Sequence, residues 1–300
     1  MCVFISKKSI KLNLLSILFA ALIVQLCSCN SDKASNSNTK LNDSLSLMTY
    51  NVRLDIESDG ENAWATRKSI FFAQVKSFSP DIMGVQEARP NQMLDLKKEL
   101  NTYASIGIGR DGADRGEYSA IFYQTKKFSV EKENTFWLSE NPDTISKGWD
   151  AAYPRICTYG LFTNKESNQK LWIFNTHLDH VGKEAQLQGM QLIVSKMKAL
   201  NTADYPAVVM GDFNVEPNSE LISNLKRSMN DAKDLAKVKT GSYGTFNGFN
   251  TYETAKRRID YIMISKSSDI EVEKYVVPDS IANSKYPSDH FPVFVELKIR

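Results

Sequence analysis

From residue 45 onward the chain alternates short apolar runs with longer amphipathic stretches, and this alternation limits the possible folds more than any other feature. The short runs predict buried strands, and the longer stretches repeat apolar residues at helical spacing. Predicted strands cover 45–52, 81–87, 119–123, 128–138, 155–162, 170–178, 207–213, 258–265, 270–277 and 291–299, and predicted helices cover 63–78, 90–100 and 183–200. Because helices do not follow every strand, we expect an α/β fold with mixed sheets rather than a simple doubly wound fold.

The first 29 residues differ from the rest of the chain. Lys7, Lys8 and Lys11 precede an apolar run over about 12–26, which small residues follow. The run is on the short side for a bilayer, so this segment is typical of a cleaved secretory signal peptide. A retained N-terminal membrane anchor is the alternative.

The segment "LCSC" at 26–29 resembles the lipobox of bacterial lipoproteins, in which the last cysteine is lipidated. Cys29 has Leu26 at −3 and Ser28 at −1, as that motif requires. Residues 30–44 are polar, as expected of a solvated tether, and 45–300 lack a linker that would divide them into domains. We therefore expect an exported lipoprotein with one catalytic domain, anchored through Cys29 to the bacterial outer membrane on its periplasmic or surface face.

Charge and cysteine content support this interpretation. Removing residues 1–29 takes three lysines from the 37 basic residues and none from the 35 acidic ones, which leaves a net charge of −1. A nucleic-acid-binding protein usually has a basic surface, although the run at 256–258 could form a local patch. With Cys29 lipidated, Cys157 has no disulfide partner and is expected to be a small buried residue.

Polar and ionisable residues lie at the ends of several predicted strands, where α/β folds usually build their sites. The set comprises Asn51, Glu87, His177, Asp179, His180, Asp212, Asn214, Asp260, Asp289 and His290. Each alone is explained equally well as a helix cap or a turn former. Asp260 is less easily explained in this way, because apolar neighbours on both sides predict that it is buried and needs a partner. All three histidines of the chain belong to the set.

These residue types fit one chemistry when taken together. Carboxylate and amide oxygens, such as those of Glu87, Asp289 and Asn51, suit Mg²⁺ or Mn²⁺. Imidazoles beside such an ion can stabilise a phosphate during its transfer, and an Asp–x–Asn pair can hold a water molecule. The chain has no Gly–x–Ser–x–Gly elbow, Walker loop or dinucleotide fingerprint. The sequence thus favours metal-assisted phosphoester hydrolysis.

Six segments in order, "TYNVR", "GVQEA", "NTHLDH", "GDFN", "RIDYI" and "SDHFPV", resemble the motifs of the endonuclease/exonuclease/phosphatase superfamily over about residues 45–295. The resemblance implies a four-layer α-β-β-α sandwich, in which two mixed, mostly antiparallel sheets pack face to face. It also implies cleavage of phosphoesters with Mg²⁺ or Mn²⁺.

The resemblance further implies a role for each motif residue. Metal binding is expected of Asn51, Glu87 and Asp289. Asp212 matches the residue that orients or deprotonates the attacking water, and Asn214 matches its companion.

The histidines and their neighbours complete the implied site. His290 matches the histidine that contacts the scissile phosphate, and Asp260 matches the acid that orients it. His177 takes the place of a histidine that acts as an acid or as a phosphate stabiliser.

The chain departs from AP endonucleases at two positions. Arg53 stands where those enzymes have an acid, and His177 stands where they have a tyrosine, which argues against DNA repair. A bacterial branch of metal-dependent hydrolases is more similar, and there Arg155 is a candidate phosphate clamp, with a surface ion pair as the alternative. We assign His180 to substrate binding. The alternative is that His180 contacts and supports another site residue instead of the substrate. Trp149 and Phe246 are more simply core residues than an aromatic wall for a sugar, base or lipid headgroup.

The sequence therefore predicts an exported, monomeric, divalent-metal-dependent phosphoester hydrolase. We favour a phosphodiesterase acting on a nucleic acid, a phospholipid headgroup or a sugar phosphate, since fold alone does not decide among these. The alternatives are a phosphomonoesterase acting on a sugar or inositol phosphate and a catalytically inactive binding lipoprotein. The presence of every expected site residue argues against an inactive protein.

Overall fold

The structure is a computed structural model that describes residues 44–266, 270–279 and 285–299. The predicted signal peptide, the lipidation site Cys29 and all but the last residue of the predicted tether lie outside the described residues. In the described part of the chain, no helix has both the length and the apolar character needed to cross a membrane.

The first sheet has seven strands in the order β10-β12-β13-β1-β2-β4-β3. Their bounds are β1 Ser44–Asn51, β2 Ile82–Gln86, β3 Tyr103–Ile106, β4 Ile121–Gln124, β10 Val238–Gly241, β12 Ile270–Val277 and β13 Val293–Ile299. The central pair β1 and β2 is parallel, whereas β1 pairs antiparallel with β13 and β2 pairs antiparallel with β4. The sheet is therefore mixed and mostly antiparallel, as expected.

The second sheet has six strands in the order β5-β6-β7-β8-β11-β9. Their bounds are β5 Phe128–Trp137, β6 Ile156–Asn164, β7 Lys170–His177, β8 Ala207–Asp212, β9 Met229–Asp231 and β11 Asp260–Ser265. Here β7 and β8 form the parallel pair, and β11 runs antiparallel to β8. Each sheet thus has a parallel pair near its centre, and the first sheet has a second parallel pair, β10 with β12, at its edge.

Helices cover the outer faces of both sheets. These helices are α1 Trp64–Phe78 and α2 Pro90–Glu99 on the first sheet, and α3 Lys183–Leu200 and α4 Glu220–Leu225 on the second. The short helix α5 Ala232–Leu235 instead contacts β12 of the first sheet and β11 of the second, and a 3₁₀ helix covers Glu57–Asn62. Strand β1 is buried on both faces: Leu45 and Leu47 contact the second sheet, whereas Met48 and Tyr50 pack in a separate apolar layer with residues of α1 and α2. A third apolar layer lies between the second sheet and α3 and α4. This arrangement confirms the predicted four-layer sandwich.

All ten predicted strands and all three predicted helices form, with ends shifted by a few residues. Six elements of three to six residues were not predicted, namely β3, α4, β9, α5, β10 and the 3₁₀ helix. β10 is exposed along its whole length and so lacks the apolar alternation that identifies a strand. Cys157 is a fully buried free thiol, as expected.

Candidate active site

The predicted site residues meet at one end of the sandwich because each sheet brings the carboxyl ends of its parallel pair there. In the first sheet, Asn51 pairs in register with Gln86, which directly precedes Glu87. In the second sheet, His177 pairs in register with Asp212. Asp260 begins β11 directly opposite Asp212. A pocket therefore forms between two strand ends of one sheet and three of the other.

The pocket has a volume of about 590 Å³. Eight of the ten predicted site residues line it, namely Glu87, Arg155, His177, His180, Asp212, Asn214, Asp289 and His290. The remaining two contact the lining from behind: Asn51 donates to Asp212, and Asp260 bonds to His290. The structure thus brings together every residue that the sequence assigned to the site.

Glu87 and Asp289 form the acidic side of the pocket. Glu87 has a left-handed backbone with φ of 64°, and its Oε2 accepts a hydrogen bond of 3.0 Å from the backbone of Leu54. Burial raises the pKa of Asp289; the charge of His290 opposes this rise, and the charge of Glu87 reinforces it. A half-buried and a buried carboxylate that repel each other and line the pocket suit a hard divalent cation. The residues present therefore fit Mg²⁺ or Mn²⁺.

Asn51 links the acidic side to Asp212. Its Nδ2 donates to Glu87 Oε1 at 2.9 Å and to Asp212 Oδ2 at 3.0 Å, and its Oδ1 accepts from the backbone of Arg53 at 2.9 Å. The amide nitrogen, not the oxygen, therefore faces the carboxylates. The role of Asn51 as an oxygen ligand of the metal stays a prediction.

His290 lies between two acids. Its Nδ1 is 2.9 Å from Asp260 Oδ2, and its Nε2 is 3.7 Å from Asp212 Oδ2. Burial lowers the pKa of His290, but the carboxylates of Asp260 and Asp212 outweigh it and hold this pKa well above its usual value. Phe246 packs edge-on against the imidazole, with the ring centroids 5.1 Å apart. This aromatic residue therefore lines the pocket and does not belong to the core. The two carboxylates therefore favour the charged form of this buried imidazole.

Asp212 occupies the floor of the pocket. Its Oδ1 accepts from the backbone of Asn214 at 2.9 Å, and Asn214 adopts a left-handed φ of 54°. Burial and the charge of Asp260 raise the pKa of Asp212 to about 7, although His290 acts in the opposite direction. A carboxylate with a pKa in this range can accept a proton from water near neutral pH.

His177 contacts a guanidinium where His290 contacts a carboxylate. Its Nδ1 lies 3.1 Å from Arg155 Nη1, and its Nε2 lies 3.0 Å from Asn214 Nδ2. Burial and the charge of Arg155 hold the pKa of His177 well below its usual value. Arg155 also reaches His180 Nδ1 at 3.1 Å and Asp179 at 3.3 Å. Arg155, the predicted phosphate clamp, thus contacts three protein side chains: His177, His180 and Asp179.

Several pocket residues were not found by reading strand ends, because they lie in loops. They are Leu54, Ile56, Arg89, Arg110, Glu117, Tyr153, Arg257 and Ile259. Arg53 entered the sequence analysis only as a difference from AP endonucleases. In the structure it binds Asp59 at 2.7 Å and lies 3.8 Å from Asp289. Tyr153 stacks on His180 with ring centroids 5.9 Å apart. The sequence signal that could have identified Tyr153 is its position two residues before Arg155.

The sequence model of the Endonuclease/Exonuclease/phosphatase family matches residues 48–290. A solved structure from Bacteroides thetaiotaomicron, described as an endonuclease/exonuclease/phosphatase family protein, is 38% identical and superposes with a TM-score of 0.81, covering 86% of this chain and 98% of that one. A mannosyl-6-phosphatase from the same organism is also 38% identical, with a TM-score of 0.80, covering 84% of this chain and 99% of that one.

Among curated proteins, nocturnin of Rattus norvegicus is 30% identical over 262 residues. The match covers 76% of this chain but only 57% of nocturnin, so it extends over little more than half of that protein.

Proposed function

Because this chain belongs to the endonuclease/exonuclease/phosphatase family and is a hydrolase of phosphoester bonds, we propose that it is a divalent-metal-dependent phosphomonoesterase that acts on a phosphorylated sugar. The observation that carries the proposal is the bounded, arginine-rich pocket above His290. Its volume of about 590 Å³ suits a small organic phosphate. Its arginines are Arg53, Arg89, Arg110, Arg155 and Arg257. A terminal phosphate carries about one more negative charge than a diester near neutral pH, so it gains more from such a lining. The 38% identity with a mannosyl-6-phosphatase supports a sugar as the alcohol.

The chain's own groups divide the chemistry among them. Asp212, with Asn214 beside it, accepts a proton from the attacking water, whose oxygen bonds to phosphorus as the ester oxygen leaves. The imidazolium of His290 faces the phosphoryl oxygens and stabilises their developing charge. A divalent ion held by Glu87 and Asp289, with Asn51 next to them, would polarise a non-bridging oxygen.

The phosphodiesterase favoured from the sequence is the competing prediction, and a substrate panel separates the two. The panel contains p-nitrophenyl phosphate, mannose 6-phosphate, bis-p-nitrophenyl phosphate and single-stranded DNA, each with Mg²⁺, with Mn²⁺ or with EDTA. We expect hydrolysis of both monoesters, much slower hydrolysis of the diester, and no activity in EDTA. A clear preference for the diester or for DNA would overturn the proposal.

Variants in the same panel connect the activity to this pocket. His290→Ala and Glu87→Ala should lower kcat by about 10²-fold to 10⁴-fold. Glu99→Ala is the matched control, because Glu99 is an exposed acid that pairs with Lys76 at 2.9 Å on the outer face. Wild-type activity in both pocket variants would place the site elsewhere. Zero activity of the wild type on all four substrates would favour the inactive binding lipoprotein.

We also propose that the protein is exported and anchored by a lipid on Cys29, on the strength of residues 1–44 of the sequence alone. A Cys29→Ser variant should then move from the membrane fraction to the soluble fraction. Equal partitioning of variant and wild type would overturn the anchor.

A further inference from the structure

Arg155 precedes β6 and is buried, with 6% of its surface exposed. Its Nη1 lies 3.1 Å from Nδ1 of His177, and its Nη2 lies 3.1 Å from Nδ1 of His180. Its Nε lies 3.3 Å from Asp179 Oδ2. Each of its three nitrogens is therefore directed at a protein group, and two of these groups are imidazoles.

A guanidinium can only donate hydrogen bonds, and it stays protonated in proteins. A neutral imidazole has one accepting nitrogen and one N–H. The Nδ1 of His177 and the Nδ1 of His180 must therefore be the accepting nitrogens, since both face the same guanidinium. Their ring hydrogens are then on Nε2.

One contact opposes this assignment, and its chemistry resolves the conflict. Nε2 of His177 lies 3.0 Å from Asn214 Nδ2, which is also a donor and bonds to the carbonyl of Leu178 at 3.0 Å. A guanidinium has no accepting orientation, whereas the side-chain amide of Asn214 can turn its oxygen toward His177 if it gives up its hydrogen bond to Leu178 and moves away from that carbonyl. An Nε2–H of His177 also has an acceptor in Asp212 Oδ2, 3.5 Å away. Arg155 therefore sets the tautomer, and Asn214 adapts to it.

We propose that Arg155 is a positioning residue that holds His177 and His180 as Nε2–H tautomers. The N–H of His177 then faces Asp212, and the N–H of His180 is a fixed donor for the substrate. This assignment replaces the phosphate clamp expected from the sequence, because each guanidinium nitrogen already contacts a protein group. The tautomers follow from the geometry alone, and their use in substrate binding rests on the proposed function.

The surroundings hold this arrangement in place. Asp179 binds Arg155 and also accepts from the backbone of Val181 at 3.0 Å and of Gly182 at 2.8 Å. Tyr153 stacks on the ring of His180, and its own backbone lies 3.3 Å from Asp179. His180 is otherwise exposed and lines the pocket, so a fixed Nε2–H there can reach an oxygen of the bound molecule.

The chain has three histidines, so ¹⁵N-histidine NMR of a tag-free protein gives three resolvable ring systems. In the metal-free wild type, we expect His177 and His180 each to show an unprotonated Nδ1 and a protonated Nε2, assigned with His177→Gln and His180→Gln. An Nδ1–H tautomer, or an imidazolium, at either residue near neutral pH would overturn the proposal. This readout needs no activity, so it is separate from failure of the proposed function.

Arg155→Lys supplies the test of cause, because one ammonium cannot match the fork that reaches both rings. We expect a mixture of tautomers at His177 or His180 and a fall in kcat of about tenfold or more, with KM changed less than threefold. Arg258→Lys is the matched control, since this buried arginine binds Asp231 at 2.6 Å and should leave both tautomers unchanged. A raised KM with unchanged tautomers would instead identify Arg155 as a phosphate clamp. If Arg155→Lys does not fold, the wild-type spectrum still decides the tautomers.

Discussion

At the residue scale, the buried histidines His177 and His290 differ in the charge that faces Nδ1. In His290 this nitrogen faces the carboxylate of Asp260 at 2.9 Å, and in His177 it faces the guanidinium of Arg155 at 3.1 Å. Both rings are buried, which alone lowers the pKa of an imidazole. The carboxylates reverse that effect at His290, whereas the guanidinium reinforces it at His177. One pocket thus holds a charged and a neutral imidazole side by side.

Replacing Asp260 with asparagine tests the charged state of His290. Because Asp260 raises the pKa of His290, the imidazolium persists to higher pH in the wild type than in Asp260→Asn. We expect kcat to fall about 10²-fold, and the pH at which activity is lost on the alkaline side to move down. The measurement is kcat against pH with p-nitrophenyl phosphate.

Asp81→Asn is the control for burial, because Asp81 is also a buried acid but accepts from the backbone of Ser46 at 2.9 Å, away from the pocket. It should leave the shape of the pH profile unchanged. An unshifted alkaline limb in Asp260→Asn would mean that His290 is not the group that titrates.

The sequence predicted which residues form the site but not how their atoms face one another. Strand-end position identified nine of the ten residues, because the end of a strand is encoded locally, and the resemblance to a bacterial branch supplied Arg155. The partner of a ring nitrogen depends on a loop that lies far away in the chain, as with Arg155 and His177 across 22 positions. The direction of the Asn51 amide and the presence of Tyr153 in the pocket depend on such contacts as well.

At the element scale, helix α1 fixes two loops that carry site residues. Arg67 in α1 is fully buried and donates to the carbonyls of Val52 at 2.7 Å and Pro287 at 2.9 Å from Nη1. Its Nη2 donates to the carbonyl of Arg53 at 2.7 Å, and its Nε donates to that of Asn62 at 2.8 Å. The loop after β1 and the segment before Asp289 are therefore held by one side chain.

Arg67→Lys should destabilise the protein by about 2–4 kcal/mol, because one ammonium leaves buried carbonyls without donors. Activity should fall further than the loss of folded protein explains, since the two loops lose their common support. Urea unfolding and kcat under folding conditions measure the two effects.

Lys68→Gln in the same helix is the control, because Lys68 is partly exposed and pairs with Asp95 at 3.1 Å. Its free energy of unfolding should change by less than about 1 kcal/mol. An equally small change in Arg67→Lys would mean that the loops are held by other contacts.

Sequence periodicity found the long elements because they repeat an apolar pattern several times. Elements such as β9, with three residues, and α5, with four, are too short to repeat their apolar pattern twice. They exist because neighbouring strands pair with them or an aspartate caps them, as Asp231 does by accepting from the backbone of Lys233 at 3.0 Å. Such support is tertiary and is not visible in a local window.

At the scale of the whole molecule, the two sheets meet below the pocket through a polar contact within an apolar interior. Asn175 of β7 donates to the carbonyls of Val85 and Ala120 in the first sheet, both at 2.9 Å. Its Oδ1 accepts from Gln86 Nε2 at 2.7 Å, one residue before Glu87. Asn175 is fully buried, so these bonds fix the relation between the sheets at the level of the site.

Gly84 of β2 leaves the space that this contact needs, and Gly84→Ala should therefore weaken the joint between the sheets. A Cβ at this position would lie 2.6 Å from Asn175 Oδ1 and 2.9 Å from Met210 Cε, closer than atoms tolerate. We expect a loss of about 2–4 kcal/mol from overpacking and displaced hydrogen bonds, and a melting temperature lower by roughly 5–10 °C.

Gly189→Ala in α3 is the control and should change stability by less than about 1 kcal/mol, because its Cβ would meet the flexible tip of Leu138 at 3.3 Å. In an Asn175→Ala background, the penalty of Gly84→Ala should shrink by at least about 1 kcal/mol, since the main clash is gone. Strict additivity of the two changes would show that Gly84 does not act through Asn175.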